Sequence, residues 1–172
     1  MTVLRGIGVW LCFTMSVMAG AAQAQVPPNC AVETVTDPDR QVLSCAFGVI
    51  IEMEAAAQLG FGDTPGGAAP QVLDLDRGGV LLEVAPGTLR PQIRTPHAIA
   101  AVRGTGYVVD VQDMSTSVFV LHGVVAVSHI GDEGAPVVLR AGDGVDVRVG
   151  APLEVRRWPA GRVADLLARF GR

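Results

Sequence analysis

Short apolar segments separated by turn residues fill most of this sequence and constrain what it can fold into. Between residues 71 and 149, runs rich in Val, Leu and Ile alternate with Gly, Pro and Asp. This spacing is typical of all-β domains, because each apolar run is long enough for a strand and each turn residue ends it. The predicted strands span residues 71–75, 80–84, 92–94, 98–102, 107–111, 117–121, 124–128, 136–139 and 145–149.

This pattern predicts a single all-β domain of short strands, either a β-sandwich or a β-roll, with a solenoid-like variant also open. Two further β-like runs, residues 41–45 and 48–54, precede the main series, whereas residues 55–59 could by propensity form a helical turn. No helical pattern of about 10–15 residues lies between the strands, which argues against a parallel α/β fold.

The C-terminus has a different periodicity, which predicts an amphipathic helix over residues 159–170. Pro159 suits the first turn, Gly171 is a stop signal, and Asp165 and Arg169 have the spacing of an i, i+4 pair. The apolar face would carry Val163, Leu166, Leu167 and Phe170. We expect this helix to pack on the β-domain, with docking on a partner protein as the alternative.

The N-terminus has the three parts of a secretory signal peptide. A short positive region precedes the apolar residues 6–20, and the Ala-Gln-Ala of residues 22–24 is a small-x-small cleavage site. Cleavage there would assign residues 1–24 to a leader and residues 25–172 to a periplasmic or extracellular domain that does not itself span the membrane. The alternative is an uncleaved anchor, but the apolar stretch is shorter than the ~20 residues that a span needs.

The two cysteines of the mature region agree with export. Cys30 and Cys45 lie 15 residues apart, which is not the spacing of a Cys-x-x-Cys redox or zinc motif. In an oxidising compartment an even pair predicts a disulfide, and a loop of this length would contribute about 3 kcal/mol in the chain-entropy model. Two free buried thiols are the alternative.

The charged and nucleophilic residues give no sign of catalysis. All 13 basic residues are arginines, the net charge is −4, and no basic stripe is present, so nucleic acid is not expected as a partner. His97, His122 and His129 lack metal-binding spacing, and no Gly-x-Ser-x-Gly elbow occurs. Asp74 and Asp76 fit a turn better than a calcium loop. We therefore predict no catalytic residue, cofactor site or metal site.

Residues 95–111, "TPHAIAAVRGTGYVVDV", resemble the core signature of the FecR domain. The resemblance continues through a strand–Gly–strand segment over residues 116–127 and a closing element over residues 137–147, and it is best over residues 80–147. The signature positions are Thr95, Pro96, Val102, Arg103, Gly104, Thr105, Gly123 and Gly142.

The arginine of this signature has two physical interpretations. Gly104 allows a bend between two strands, and Thr105 can hydrogen-bond neighbouring backbone at the turn. The guanidinium of Arg103 would then bind turn carbonyls or a carboxylate while its stem packs on apolar neighbours. The alternative is that Arg103 contacts a ligand or partner.

The resemblance implies a non-catalytic exported module that transmits signals through protein contacts in the cell envelope. Its partner would be a membrane receptor or an outer-membrane protein. Family members that act as anti-sigma regulators carry a cytosolic segment and a transmembrane helix before the FecR domain, so this chain is expected to be a stand-alone FecR-domain protein. The alternative function is a β-domain that binds cell-wall glycan or peptidoglycan.

Overall fold

The computed structural model describes residue 27 and residues 29–62, 70–87, 90–131 and 134–172. The predicted leader and the Gly- and Pro-rich residues 63–69 lie outside these ranges. The described residues confirm the all-β class with a C-terminal helix, and none of their helices is long and apolar enough to cross a membrane. The elements are β1 (Cys30–Val35), β2 (Arg40–Cys45), β3 (Val49–Glu54), β4 (Gln58–Phe61), β5 (Val72–Val84), β6 (Gln92–Arg94), β7 (Ala98–Gln112), β8 (Ser115–His129), β9 (Val137–Arg140), β10 (Asp143–Val147), β11 (Arg156–Arg157) and α1 (Ala160–Ala168).

All eleven described strands belong to one sheet. Its order is β1-β2-β3-β5-β6-β7-β8-β10-β11, with β4 added to β5 and β9 added to β8. Every pairing is antiparallel except that of β5 with β6. Apolar side chains from β2 to β10 meet in one buried cluster, so the sheet curves around a single main core on its inner side. Residues 55–56, ambiguous by propensity, form a turn before β4.

Three strands are much longer than predicted. Each of β5, β7 and β8 runs through a glycine site that the sequence pattern indicated as a turn between two short strands, so those predicted turns are wrong. In each strand the side chains that face the core have odd residue numbers on one side of that site and even numbers on the other, which we call a change of parity. The buried residues on either side are Leu73 and Leu75 then Val80 and Leu82 in β5, Ala100 and Val102 then Tyr107 and Val109 in β7, and Val118 and Val120 then Val125 and Val127 in β8.

A positive-φ glycine accompanies each change of parity. Gly78, Gly104 and Gly123 have φ values of +80°, +58° and +85°. Irregular residues of this kind rotate and bend a strand without ending it, and a positive φ is readily adopted by glycine. Both halves of each long strand therefore face the same core, and the sheet can curve around it.

The outer side of the sheet is covered over one half by α1. This helix begins after Pro159, which is its N-cap, and buries Leu166, while Phe170 follows in the next turn. These side chains form a second apolar cluster with Leu81, Val108, Phe119 and Trp158. The expected packing of the helix on the β-domain is therefore observed, and α1 leaves the other half of the outer side uncovered.

Candidate functional site

The Thr-Pro step of the signature organises the turn before β7. The Thr95 hydroxyl oxygen accepts hydrogen bonds from the backbone N–H groups of Ala98 at 2.8 Å and His97 at 3.2 Å. The same hydroxyl lies 2.9 Å from that of Thr116, which in turn lies 3.1 Å from Nδ1 of His97. Thr95, His97 and Thr116 are all buried. This network fixes the entry of the chain into β7 and leaves Thr95 no role at the surface.

Thr105 links β7 to β8 where both strands are irregular. Its hydroxyl oxygen accepts a hydrogen bond from the Val124 N–H at 3.1 Å and lies 3.0 Å from the carbonyl oxygens of Arg103 and Val124, to which it can donate. Thr105 is fully buried. A buried hydroxyl satisfies backbone groups that an irregular ladder would otherwise leave unpaired.

Arg103 does not make the predicted contacts with turn carbonyls or a carboxylate. Its side chain is exposed, and within the described part of the chain it makes no hydrogen bond or ion pair. The prediction that its guanidinium binds turn carbonyls is therefore wrong; the Thr105 hydroxyl is the side-chain group that lies within hydrogen-bond distance of the Arg103 and Val124 carbonyls. Arg103 is instead a free cation on the half of the outer side that α1 leaves uncovered.

The surface around Arg103 consists of three rows of residues that are opposite one another on neighbouring strands; we call it the uncovered strand face. The first row is Arg103, Val124 and Arg140. The second is Gln92, Ala101, Ala126 and Val138, and the third is Asp74, Arg94, Ile99 and Ser128. Val124 is 37% exposed and Val138 is 52% exposed, so the middle of this face is apolar and open to solvent.

The charges of the uncovered strand face are unbalanced. Arg94 is paired with Asp74, with nitrogen–oxygen distances of 2.8 and 3.1 Å. The guanidinium of Arg140, like that of Arg103, has no hydrogen bond or ion pair among the described residues. Because β7 and β9 flank β8 in this half, the Cα atoms of the two free arginines lie about 10 Å apart.

The covered half of the outer side shows the opposite arrangement, in which carboxylates of the sheet bind arginines of the C-terminal segment. Asp110, Ser117 and Asp146 form one row across β7, β8 and β10. Arg162 donates to Asp146 at 2.9 Å, and Arg169 donates to Asp110 at 2.7 Å. The segment is thereby held to the sheet by charge as well as by apolar contact.

Two strands add further carboxylates to this attachment. Arg169 also donates to Glu54, at 2.6 Å to Oε2, and Arg172 pairs with Glu52 and Glu83. The expected i, i+4 pair between Asp165 and Arg169 is not among the ion pairs of the described residues, because Arg169 points to the sheet instead.

Trp158, just before α1, packs between the sheet and the helix. Its ring stacks on Phe119 with centroids 5.3 Å apart, and the Arg162 guanidinium lies 3.4 Å from the ring centroid on a cation–π contact. Arg162 and the Ser117 hydroxyl hold the pKa of Asp146 below its usual range, against the opposing effect of partial burial. A cleft of about 460 Å³ borders Trp158, and its exposed arginines include Arg148.

The remaining residues singled out in the sequence make contacts within the fold. Cys30 and Cys45 are opposite one another on β1 and β2 and form the predicted disulfide. Gly142 has a φ of +83° beside Arg157. His122 pairs with Glu83 at 2.8 Å. His129 bonds a backbone carbonyl, and no group of three potential metal ligands occurs in the described ranges.

Sequence reasoning missed Tyr107, whose hydroxyl is fully buried and has no hydrogen-bond partner among the described residues. It also missed Arg140.

The signal for the uncovered strand face was present in the alternation of residues 118–127, because Val124 and Ala126 fall on the outer side once the parity change at Gly123 is recognised.

Comparison with known proteins identifies the family. The sequence model of the FecR protein family matches residues 31–126, which is more than half of the 172-residue chain. The chain belongs to the FecR family. The matched part of this FecR chain includes the signature from Thr95 to Gly123, and Gly142 lies beyond it. No curated protein matches the sequence.

Solved structures support the same fold. Two crystal structures of a candidate anti-sigma factor from Parabacteroides distasonis ATCC 8503, at 1.65 and 2.50 Å resolution, each superpose on the FecR chain with a TM-score of 0.60. Each is 15% identical in sequence, and the match covers 80% of this chain. The chain spans 64% of the length of those proteins, so the likeness concerns the fold of the shared part.

Proposed function

We propose that this FecR-family protein is a non-catalytic signal-transducing module of the cell envelope that acts by binding another envelope protein. The observation that carries the proposal is Arg103, a signature residue whose free guanidinium stands on the uncovered strand face. A free cation above apolar side chains suits a protein contact better than it suits stability. A membrane receptor or an outer-membrane protein is the expected class of partner.

Export is part of this proposal. The signal-peptide pattern of residues 1–24 supports a periplasmic or extracellular location, and the Cys30–Cys45 disulfide is consistent with an oxidising compartment. N-terminal sequencing of the protein recovered from the envelope of expressing cells tests it. A sequence that begins near residue 25 is expected, and an intact Met1 terminus on recovered protein would contradict the proposed cleavage.

The glycan alternative has less support in the aromatic side chains. Sugar-binding sites commonly use exposed aromatic faces, but Trp158 lies between Phe119 and Arg162, and Tyr107 and Phe170 are buried. Phe47, at 60% exposed, is the aromatic side chain most open to a glycan among the described residues.

The test compares partner capture with peptidoglycan binding. The full chain is expressed in cells, cross-linked in the intact envelope and purified, in parallel with the Arg103→Ala variant and the control Arg148→Ala, which removes another exposed arginine. We expect a protein partner with the wild type and the control, and at least about a tenfold loss with Arg103→Ala. Sedimentation with peptidoglycan but without any protein partner would favour the glycan alternative.

A further inference from the structure

We propose that the uncovered strand face binds an amphipathic helix of the partner protein, with carboxylates at positions i and i+7 and apolar residues between them. The inference rests on the proposed function and specifies the chemistry of its partner. The contacts of α1 show how the covered half of the same sheet binds a helix.

The covered half provides the geometry. Arg162 and Arg169 are seven residues apart in the C-terminal segment, and they bind Asp146 and Asp110 at the two ends of one row. Seven residues of α-helix rise about 10.5 Å, which matches two strand spacings of the sheet. Leu166, four residues after Arg162, is buried against the sheet between the two ion pairs.

The uncovered half repeats this arrangement with the charges reversed. Arg103 and Arg140 stand at the ends of a row across β7, β8 and β9, with Val124 in the middle where Ser117 lies in the covered half. A helix with carboxylates at i and i+7 would reach both guanidinium groups. Its apolar residues at i+3 and i+4 would contact Val124 and the neighbouring Val138.

Charge and shape both favour this occupant. The chain carries a net charge of −4, yet the uncovered strand face has three arginines and one aspartate. Its second row contains the short side chains of Ala101 and Ala126, which allow a helix to approach the sheet closely. A cationic helix such as α1 itself would be repelled by Arg103 and Arg140, so the geometry does not point to a second copy of this segment.

The first experiment measures peptide binding to protein purified from the envelope of cells that express the full chain. The probe is a fluorescent helical peptide with Glu at i and i+7 and Leu at i+3 and i+4, and the matched control peptide carries Lys at i and i+7. We expect the Glu peptide to bind at least about tenfold more tightly than the Lys peptide. Equal affinities, or preference for the Lys peptide, would overturn the proposal.

Charge reversal locates the site. The double variant Arg103→Glu/Arg140→Glu should reverse the preference between the two peptides. The control Arg148→Glu, which changes an exposed arginine of the cleft beside Trp158, should leave the preference unchanged. The three substitutions in these two variants concern exposed side chains, and the melting temperatures of both variants check that the fold is retained. A preference that survives the double reversal would show that the peptide binds elsewhere and would sink the proposal.

The natural partner provides the second experiment. A photo-crosslinking amino acid at Val124, with Val149 as the exposed control position, is introduced into the full chain in cells, and the cross-linked partner peptide is sequenced. We expect a helical segment with acidic residues seven apart, lost in the double reversal. A partner captured equally by the double variant would overturn this site and the role of Arg103, but would leave binding of an envelope protein as such in place, whereas absence of any protein partner would count against both proposals.

Discussion

Gly123 in β8 lies directly against Thr105 in β7: a Cβ atom built on Gly123 would stand 2.7 Å from the Thr105 hydroxyl and 2.6 Å from the Gly104 carbonyl oxygen. Gly123 therefore fits against the irregular site of β7, whereas a Cβ atom built on Gly104 would meet Pro86. The contact brings Gly123 and the Gly104-Thr105 step of the same signature together.

Gly123→Ala should destabilise the domain strongly. The new methyl group would meet backbone of β7, and the φ of +85° would itself be strained, so we expect a loss of at least about 2 kcal/mol in the free energy of unfolding. Gly131→Ala is the control, since its φ is +71° but nothing lies within 4 Å of the added atom. Urea unfolding of both variants measures the difference; equal losses would show that the contact with Thr105 is unimportant.

Arg103→Ala should leave stability almost unchanged. Because the side chain is exposed and unpaired, we expect the free energy of unfolding to stay within about 0.5 kcal/mol of the wild-type value. Thr105→Val, in contrast, should cost about 1–3 kcal/mol, because the Val124 N–H loses the acceptor that the buried Thr105 hydroxyl provides. Thermal and urea unfolding compare the two. A large loss in Arg103→Ala would restore the structural interpretation of this arginine.

Tyr107 should resist ionisation for as long as the protein is folded. It is the chain's single tyrosine, and complete burial raises the pKa of its hydroxyl far above the usual value of 10.0. The unfolded chain releases this proton at a lower pH than the folded chain, so stability should fall as pH rises above about 10. Absorbance at the tyrosinate wavelength should increase together with the loss of β-structure in circular dichroism. An increase that precedes unfolding would contradict complete burial.

Tyr107→Phe provides the matched variant. Removing a buried hydroxyl that has no partner should leave the free energy of unfolding unchanged or raise it by up to about 1 kcal/mol, and the stability loss above pH 10 should become smaller. A clear loss of stability at neutral pH would instead indicate that the hydroxyl has a bound water molecule as its partner.

Asp146 should make the folded state sensitive to acid. Arg162 lowers the pKa of this carboxyl in the folded protein, so the stabilisation is present above the unfolded pKa near 3.8 and is lost as pH falls through the lower folded value. Arg162→Ala should shift the pKa of Asp146 upward and flatten the stability profile below about pH 4. Carboxyl-detected NMR titration measures the first effect and urea unfolding the second. An unchanged pKa in the variant would remove Arg162 as its cause.

The sequence predicted the fold class because alternation and apolar spacing are local properties. The all-β class, the C-terminal helix and the Cys30–Cys45 disulfide all followed from patterns within a few residues or from the compartment. The pattern predicts turns at Gly78, Gly104 and Gly123, since a turn and a strand irregularity use the same residue. The two cases differ in the numbering of the apolar residues on either side of the glycine. A change from odd to even numbers, or the reverse, indicates an irregular strand whose two halves face one core.

The partners of the arginines could not be predicted in the same way. Arg169 has Asp165 four residues before it, but it binds Glu54 and Asp110, which come from distant strands. The signature predicts backbone acceptors for Arg103, but the Thr105 hydroxyl is the side-chain group beside those carbonyls, and the Arg103 side chain is exposed. In both cases the outcome depends on which groups the tertiary fold brings together, and an isolated sequence contains no direct measure of that.

The attachment of the C-terminal segment also sets an order of assembly. Arg169 binds Glu54 across 115 residues of sequence, and Arg172 binds Glu52 across 120. Synthesis proceeds from the N-terminus, so the strands that carry these carboxylates are available before the arginines that neutralise them. Until residues 158–172 arrive, Glu52, Glu54 and Asp110 share an outer surface without their cations. We therefore expect the sheet to present an acidic, apolar outer surface before this segment docks, and docking to remove that surface in a late step of folding.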